Sequence, residues 1–390
     1  MIDMGKRGFC GKELRSFPEC DPQLPPTVTF RTQAMELGSI DMTKELGGND
    51  PDNFEIMKSV LAQARNPNSM IVYIVHGFKN NGEERWQKEI MKGLFNKYGS
   101  WGYNVIVGIV SWKWGAMAHF KEDKMNMFNQ FTSDFEWCTS PLPILSFYRK
   151  AAANTMVIGK HLAALNNWFR SNIEQGYYYP FQTHCIGIKN LLKYYVSVMP
   201  AYITNVYQCI TGHSLGAQTC GFFGKSYFEF TGGRKLTSIV GLDPAGPIFE
   251  ENDEKTQKLY RDDADFVQVI HTNTEQLGHK GTMGHIDYYL NGGANPGGKQ
   301  PADICGTIGQ YTDKITGSCS HHYAYWFLAK MYNYPTLTCE SFLGKRYAIG
   351  DLLATKGTLG IISNNKALFK TSKAVKNEKE PTEYVNIDKC

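Results

Sequence analysis

Two patterns of apolar and polar residues alternate along most of the chain. One is a short, nearly continuous apolar run, and the other is a longer stretch in which apolar residues recur with the spacing of a helix. The run at 69–76 is almost wholly apolar, as is typical of a strand buried on both faces of a sheet. Because such runs alternate with helical stretches, the sequence predicts an α/β fold with a mainly parallel central sheet and helices on both faces. The predicted strands are 27–32, 69–76, 103–112, 206–211 and 236–242, and the predicted helices are 53–65, 86–97, 151–170 and 215–224.

Two stretches interrupt this alternation, one near 117–146 and the other near 171–205. We interpret both as insertions, the second of them rich in tyrosine. With 390 residues the chain is long enough for one large domain with insertions. We therefore assign residues 1–340 to a single α/β domain and 341–390 to a C-terminal extension, whose end is rich in lysine and low in large apolar groups.

The strand at 206–211 runs directly into a G-x-S-x-G motif centred on Ser214. A serine on a sharp turn between strand and helix needs small neighbours, because larger side chains would collide there. Such a turn exposes the serine hydroxyl at the edge of the sheet. We predict Ser214 as a nucleophile on an elbow formed by Gly212, His213 and Gly216.

A nucleophilic serine needs a base that takes its proton and an acid that orients the base. In α/β hydrolases the acid follows the serine in the chain, and the base comes last. Asp243 directly follows the predicted strand 236–242 and precedes turn residues. Functional groups of α/β sheets collect at this carboxyl end of the strands, so Asp243 is the predicted acid.

Ten histidines are candidates for the base. His321 and His322 lie near Cys319 in a predicted loop, just before an apolar, aromatic stretch that starts a helix. Three further histidines compete for the role, and with Asp287 they also raise the possibility of a metal site. We expect no metal there, because the spacing lacks the i,i+4 pair and the complete ligand set of a zinc site. The competing histidines are His271, His279 and His285.

An oxyanion hole combines the backbone N–H after the nucleophile with an N–H from an earlier strand-to-loop junction. The apolar strand that begins at Ser69 ends in His76, Gly77 and Phe78, where the glycine lets the backbone approach the reacting centre. We therefore predict the backbone N–H groups of Phe78 and Leu215 as the oxyanion donors.

These motifs, together with others in the same order between about 70 and 330, resemble the animal pancreatic-lipase family, which includes neutral triglyceride lipases and secreted phospholipases A1. The resemblance implies an α/β-hydrolase fold and a triad of Ser214, Asp243 and His321. It favours His321 over His322, because the family histidine directly follows a Cys-Ser or Cys-Asn pair. It implies no cofactor. The matching segments are His76-Gly-Phe78, Val110-Ser-Trp112, Gly115-Ala116, Tyr148 to Thr155 with Gly159, Gly212 to Ala217, Gly241 to Ala245, Val269 to Thr272, Gly284 to Tyr288, Asn291 to Gly293 and Cys319 to His321.

The resemblance also implies a lid closed by a disulfide between Cys305 and Cys319, just before the catalytic histidine. The enclosed segment 306–318 is short, small and polar, and the loop at 272–284 is short as well. Family phospholipases A1 have both segments short, whereas family triglyceride lipases usually have both long. We therefore expect a phospholipase A1 acting on the sn-1 ester, with a neutral acylglycerol lipase as the alternative.

The family's calcium site lies after the catalytic acid, which corresponds here to residues 258–265. Asp263 matches one ligand, but Tyr260 stands where the family usually has an oxygen ligand. Because calcium takes six or more oxygen ligands, we predict no metal at this position. The resemblance also implies that no separate β-sandwich domain follows, since the region after the lipase domain is too short for one.

Net charge and cysteine content limit the partners and the cellular compartments that we expect for this chain. The net charge of +4 is small for 390 residues, which argues against nucleic acid as a partner. Ten cysteines favour an oxidising compartment, although Cys209 and Cys220 could equally be buried free thiols. We expect a secreted, extracellular protein, although residues 1–8 do not show the apolar run of a secretory signal. No apolar run reaches the ~18 residues of a membrane span.

The alternative from another functional class is a non-catalytic lipid-binding protein on the same fold, like the yolk proteins related to this family. Such relatives typically lose triad residues. This chain keeps Ser214, Asp243 and His321, so we expect an enzyme whose partners are phospholipids or acylglycerols at a lipid interface.

Overall fold

The computed structural model describes residues 25–44, 46, 50–66, 68–116, 143–184, 207–250, 255–274, 276–290, 293, 313, 317–334, 338–341, 346–348 and 384–386. Within these residues, eleven strands form one sheet in the order β10-β9-β11-β8-β7-β6-β5-β3-β4-β1-β2. The strands are β1 (Thr27–Arg31), β2 (Glu36–Asp41), β3 (Ser69–Val75), β4 (Asn104–Ser111), β5 (Tyr207–His213), β6 (Leu236–Leu242), β7 (Ala264–His271), β8 (Ile286–Leu290), β9 (Thr338–Ser341), β10 (Arg346–Ala348) and β11 (Tyr384–Asn386).

The described helices connect and cover these strands. They are α1 (Pro51–Ala64), α2 (Arg85–Gly99), α3 (Pro143–His184), α4 (Leu215–Phe230) and α5 (Ser318–Asn333), with short 3-10 turns at Lys255–Gln257 and Arg261–Asp263. Asp50 caps α1 by accepting the backbone N–H of Asn53 through its side chain, and Pro51 occupies the first position of the helix. Both features are typical helix starts, because the first N–H groups have no partner within the helix.

Strand direction confirms the predicted mainly parallel sheet. The central strands β4, β3, β5, β6, β7 and β8 all pair in parallel, and the antiparallel pairs involve strands nearer the two edges. Val75 of β3 lies opposite Gly212 of β5, and Gly212 lies opposite Gly241 of β6. The carboxyl ends of these strands therefore meet at one edge of the sheet.

The two faces of the sheet explain why β3 is apolar at every position. Successive side chains of a strand point to opposite faces, so a strand covered on both sides needs apolar residues throughout. One face packs against α1, α3 and α4, and the other packs against α2 and α5. From β3, Ile71, Tyr73 and Val75 belong to the first core, whereas Met70, Val72 and Ile74 belong to the second.

Helix α3 is longer than predicted, because it spans Pro143–His184 rather than 151–170. Residues 171–184, which we interpreted as part of an insertion, therefore continue this helix. That stretch contains Gly176 and Pro180, whose low helix propensity leaves no helical signal in the local sequence. The other predicted insertion residues, at 117–142 and 185–205, lie outside the described residues.

Part of the predicted C-terminal extension joins the main sheet. Tyr384–Asn386 pairs in parallel with β8 and antiparallel with β9. The division into a domain at 1–340 and an extension at 341–390 stays a prediction. Among the helices that the structure describes, none combines the length and apolar character needed to cross a bilayer.

Candidate active site

Ser214 lies on a sharp turn between β5 and α4. Its backbone has φ 58° and ψ −122°, a combination that a non-glycine residue adopts only when its surroundings enforce it. A Cβ atom at Gly212 would lie 2.2 Å from the backbone oxygen of Gly216, and one at Gly216 would lie 2.4 Å from the oxygen of Val75. The two glycines predicted from the motif are thus required by close backbone contacts across the turn.

Hydrogen bonds tie this turn to the neighbouring strand. The Ser214 N–H donates to the Leu242 carbonyl at 3.0 Å, and the Ser214 carbonyl accepts the Ala245 N–H at 3.2 Å. Leu215 begins α4, and the first N–H groups of a helix lack partners within it and carry the positive end of its dipole. The turn therefore presents N–H groups where negative charge is stabilised.

The junction after β3 approaches Ser214 closely. A Cβ atom at Gly77 would lie 2.7 Å from Ser214 Cβ. His76 fixes this junction, because its Nδ1 lies 3.0 Å from the Gly77 carbonyl and its Nε2 accepts the Trp112 N–H at 3.1 Å. The Phe78 ring packs edge-on against Tyr148 at a centroid distance of 5.3 Å.

Asp243 and His321 form a buried hydrogen-bonded pair. His321 Nδ1 lies 2.6 Å from Asp243 Oδ2, although the two residues are 78 positions apart in the sequence. The other carboxylate oxygen of Asp243, Oδ1, accepts the N–H groups of Thr272 at 2.7 Å and Asn273 at 3.1 Å. These three bonds hold the carboxylate in one orientation, so it can orient the imidazole.

His321 lies in the first turn of α5, which begins at Ser318. The prediction that it lies in a loop before the helix is therefore wrong by a few residues. Asp313, a residue of the predicted lid, caps this helix by accepting the N–H groups of Cys319 at 2.7 Å and Ser320 at 3.0 Å, and it also accepts the Ser320 hydroxyl. The sequence analysis did not identify Asp313 as a cap. Its only signal was an acidic residue a few positions before α5, and the start of that helix could not be located from the sequence.

His213 contacts the same helix from the elbow. Its Nε2 donates to the His321 carbonyl at 3.0 Å, and the two rings lie 4.5 Å apart between centroids. Trp86 and Tyr325 pack edge-on against the His213 ring and bury it. Burial lowers the pKa of His213 well below its ordinary value, so this side chain stays neutral. It links Ser214, its chain neighbour, to the helix that carries His321.

The structure describes one of the two cysteines of the predicted lid disulfide. Cys319 is disulfide-bonded, whereas its predicted partner Cys305 lies outside the described residues. Cys220 on α4 is a buried free thiol, as one of the two sequence alternatives had it. Burial raises the pKa of Cys220 well above its ordinary value, which leaves the thiol protonated and unreactive.

The residues at 258–265, where the family has its calcium site, do not fit a calcium ion. Both carboxylate oxygens of Asp263 lie 2.6 Å from Lys225 Nζ, which also donates to the Lys258 carbonyl at 2.8 Å. An ammonium group thus occupies the position that a cation would need. Burial raises the pKa of Asp263 to about 6 despite this partner, because desolvation outweighs the attraction of the lysine.

The histidines that raised a second metal interpretation serve other contacts. His271 Nε2 lies 2.9 Å from Asp287 Oδ1, and His285 Nδ1 accepts the Val267 N–H at 3.0 Å. Burial lowers the pKa of His279 to about 3. Among the residues that the structure describes, no three histidine, cysteine or acidic side chains are grouped as a metal site requires.

The chain is similar to known proteins along part of its length. Residues 190–348 match the family model described as Lipase. Over these residues the chain is similar to the lipase family. Together with the mainly parallel sheet, this match confirms the α/β-hydrolase fold that the sequence motifs implied.

Several curated relatives carry a phospholipase name. The protein named Phospholipase A1 of Vespa velutina is 31% identical over 255 residues, which cover 65% of this chain and 62% of the relative. Probable phospholipase A1 magnifin of Vespa magnifica is 30% identical over 253 residues, or 64% of this chain and 55% of the relative. Lipase member H of Mus musculus is 37% identical over 162 residues, or 40% of this chain and 33% of the relative. The chain thus spans less than two thirds of each of these relatives.

Proposed function

We propose that this chain is a carboxylic ester hydrolase that acts on glycerolipids through Ser214, Asp243 and His321. The observation that carries the proposal is the 2.6 Å hydrogen bond between His321 Nδ1 and Asp243 Oδ2, beside an elbow that holds Ser214 at positive φ. The oriented imidazole lies on a helix that contacts this strained strand-to-helix turn through His213. Nucleophilic acyl transfer requires an oriented base near a serine presented on such a turn.

In the proposed reaction His321 takes the proton of the Ser214 hydroxyl as the oxygen attacks the ester carbonyl. Asp243 keeps the imidazole in the tautomer with hydrogen on Nδ1 and stabilises the imidazolium that forms. The proton then passes to the leaving alcohol, and an acyl-enzyme remains. Water, deprotonated by His321, attacks this ester and releases the fatty acid and free Ser214. The reaction needs no cofactor.

The N–H groups of Phe78 and Leu215 are the proposed oxyanion donors. Support comes from the position of Leu215 at the start of α4 and from the close approach of Gly77 to Ser214. His76 adds to this support, because its two ring nitrogens bind the Gly77 carbonyl and the Trp112 N–H. The donor loop is therefore held before substrate binds, as electrostatic stabilisation of a transition state requires.

Phospholipase A1 is the activity that we propose within this class. The wasp relatives named Phospholipase A1 support it, as do the short segments at 272–284 and 306–318. We expect a short polar lid to leave the site open to a polar head group. It should also weaken activation at an oil–water interface.

We propose that the chain works outside the cell. The disulfide at Cys319 and the total of ten cysteines favour an oxidising compartment. The expected partners are phospholipids or acylglycerols at a lipid interface. With a net charge of +4 on 390 residues, nucleic acid is not an expected partner.

The experiment compares wild type and Ser214→Ala on phosphatidylcholine with different acyl chains at sn-1 and sn-2, and on trioleoylglycerol. Products are identified by mass. Ser59→Ala is the matched control, since Ser59 is exposed on α1 and its hydroxyl donates only to the Glu55 carbonyl in the structure. We expect release of the sn-1 chain by wild type and the control, and loss of at least about 10³-fold in Ser214→Ala.

Each outcome of this experiment decides one part of the proposal. Trioleoylglycerol hydrolysis without phospholipid hydrolysis would keep the serine mechanism and replace phospholipase A1 with acylglycerol lipase. Undiminished activity in Ser214→Ala would contradict the nucleophile. Binding of both lipids without turnover by wild type would favour a lipid-binding relative of the lipases.

A further inference from the structure

A second buried histidine–aspartate pair lies next to the proposed triad and takes no part in its chemistry. His271 ends β7 and is fully buried, and Asp287 lies in the neighbouring strand β8. His271 Nε2 lies 2.9 Å from Asp287 Oδ1, and His271 Nδ1 lies 3.0 Å from the His279 carbonyl. The Tyr289 ring stacks on the imidazole at 4.2 Å with an angle of 12°.

The partners of the ring determine its protonation. A carbonyl oxygen accepts hydrogen bonds and donates none, so Nδ1 must carry a hydrogen. Asp287 also accepts the N–H of Met283 on Oδ1 and that of Gly284 on Oδ2, both at 3.0 Å. Backbone donors on both oxygens favour the ionised form of Asp287. An ionised carboxylate cannot donate a hydrogen bond, so Nε2 of His271 must be the donor to Asp287. Both nitrogens of His271 then carry hydrogen.

We propose that His271 is a buried imidazolium, paired with Asp287, and that this ion pair positions Asp243 for catalysis. The second half of the proposal rests on the proposed function of Asp243. His271 is a positioning residue, since it acts on the reaction through the backbone that follows it and through the loop that it binds.

Two chain segments connect His271 to Asp243, one on each side of the carboxylate. The two residues after His271, Thr272 and Asn273, donate their N–H groups to Asp243 Oδ1. On the other side, His279 donates its N–H to the Pro244 carbonyl at 2.7 Å, next to Asp243 in the chain. His271 contacts both of these segments. It is covalently joined to Thr272, and its Nδ1 donates to the His279 carbonyl. A change in the ring therefore shifts both supports of the carboxylate.

The surroundings of the pair suit one positive and one negative charge. The flat contact with Tyr289 places an aromatic face on the imidazolium, which stabilises a cation. His279 does not compete for the proton, because burial and the nearby positive charges lower its pKa to about 3. Burial raises the pKa of Glu250, and the backbone N–H and charge of Lys280, together with the charge of Lys258, partly offset this rise. The titratable groups that interact with His271, besides Asp287, are Glu250, His279 and Tyr289, and Lys258 Nζ lies 3.4 Å from His279 Nε2.

Nitrogen-15 NMR of the imidazole groups tests the charge without any need for turnover. At about pH 8 an ordinary histidine ring is neutral and carries hydrogen on one nitrogen. We expect the wild-type protein to show one imidazole with hydrogen on both nitrogens, and this signal pair to be absent from His271→Gln. A His271 ring with a single N–H would overturn the proposal.

Asp287→Asn provides a second variant with a smaller structural change. The amide keeps an oxygen for a backbone N–H and removes the negative charge. We expect His271 to lose one ring proton at about pH 8 in this variant. If both ring protons persisted, the charge of Asp287 would not hold them, and the ion-pair assignment would be wrong.

Two further measurements test the positioning of Asp243. The N–H signal of His321 Nδ1, bonded to Asp243, should shift in His271→Gln whether or not the protein turns over a substrate. On an ester substrate, His271→Gln and Asp287→Asn should lower kcat about 10- to 100-fold with little change in KM. The control is His161→Gln, which should retain full kcat. His161 lies on helix α3, near Asp41 of the edge strand β2.

The outcomes separate the two proposals. An unshifted His321 signal together with an unchanged kcat would overturn the positioning role, even if His271 proved charged. A wild-type protein without esterase activity would contradict the proposed function, while the ring-proton and His321 signals would still decide the charge and the contact. Thermal melting of each variant confirms that the fold is intact, and Asp287→Asn replaces His271→Gln if that variant fails to fold.

Discussion

Two buried histidine–aspartate pairs lie at the same edge of the sheet and share one local design. Asp243 accepts two consecutive backbone N–H groups and binds His321, and Asp287 accepts two consecutive backbone N–H groups and binds His271. The pairs differ in their surroundings. His321 starts a helix beside the Ser214 elbow, whereas His271 is enclosed between a carbonyl and a tyrosine ring.

This difference teaches that a histidine–aspartate pair does not by itself identify a catalytic base. A catalytic base must bind and release a proton during the reaction. When both ring nitrogens donate to buried acceptors, release of a proton costs free energy, because one acceptor loses its hydrogen bond. Such a ring suits a fixed charge instead. We therefore expect large effects on turnover when the pair at Asp243 is altered and smaller effects when the pair at Asp287 is altered.

The largest effect should follow removal of the base. His321→Gln should lower kcat by about 10⁵- to 10⁶-fold, because the serine loses the group that takes its proton. Steady-state kinetics on a soluble ester measures the loss. The adjacent His322→Gln is the matched control, and a comparable loss in that variant alone would transfer the role to His322.

The next effect should come from the carboxylate that orients the base. Asp243→Asn should lower kcat about 10⁴-fold, because the amide favours the wrong tautomer of the histidine. Asp287→Asn, the same chemical change in the other pair, should cost at least tenfold less. Equal losses in the two variants would contradict the assignment of different roles to the two pairs.

A smaller effect should follow loss of the cap on helix α5. Asp313→Ala should lower the free energy of unfolding by about 1–2 kcal/mol, because three donors of Cys319 and Ser320 lose their acceptor. Chemical denaturation under non-reducing conditions measures it. Asp262→Ala, at an exposed aspartate, should stay within about 0.5 kcal/mol of wild type.

The last prediction concerns the pH dependence of stability near the second pair. The folded protein holds His279 neutral with a pKa of about 3, against 6.5 for an ordinary histidine. Between these values the unfolded chain binds a proton that the folded chain does not. The free energy of unfolding should therefore fall as the pH falls from about 6.5 toward 3.

The contribution of His279 to this slope is at most about 1.4 kcal/mol per pH unit. His279→Gln should reduce the slope, as measured by denaturant unfolding at several pH values. The slope should not vanish, because His213 is also held neutral by burial. A slope equal to that of wild type would show that His279 is not held neutral in the folded protein.

The sequence was most informative where a local geometric requirement restricts residue type. Gly212 and Gly216 are needed because their backbones touch neighbouring atoms across the elbow, and this requirement is visible as a motif. Asp243 could be predicted because parallel strands bring their carboxyl ends together, so an acid after β6 must lie near the elbow after β5.

The base could not be predicted from local pattern alone. Ten histidines were available, and the resemblance to a family was needed to prefer His321. The same limit applies to helix α3, whose continuation through Gly176 and Pro180 contradicts local propensity. Lys225 offers a third example, because its contact with Asp263 joins a helix to a loop 38 residues away.

By itself, the sequence determined the α/β architecture and the glycines of the elbow at Ser214, and it predicted Asp243 as the acid. Periodicity and close backbone contacts restrict the residue types of short segments, and such restrictions can be recognised in the sequence. Tertiary structure alone decided which carboxylate each histidine meets, that Asp313 caps the helix of His321, and that Lys225 occupies the place of a cation. The physical reason is that such contacts join residues far apart in the chain. Their energy depends on burial and on the partner of every polar atom, and no local pattern records either.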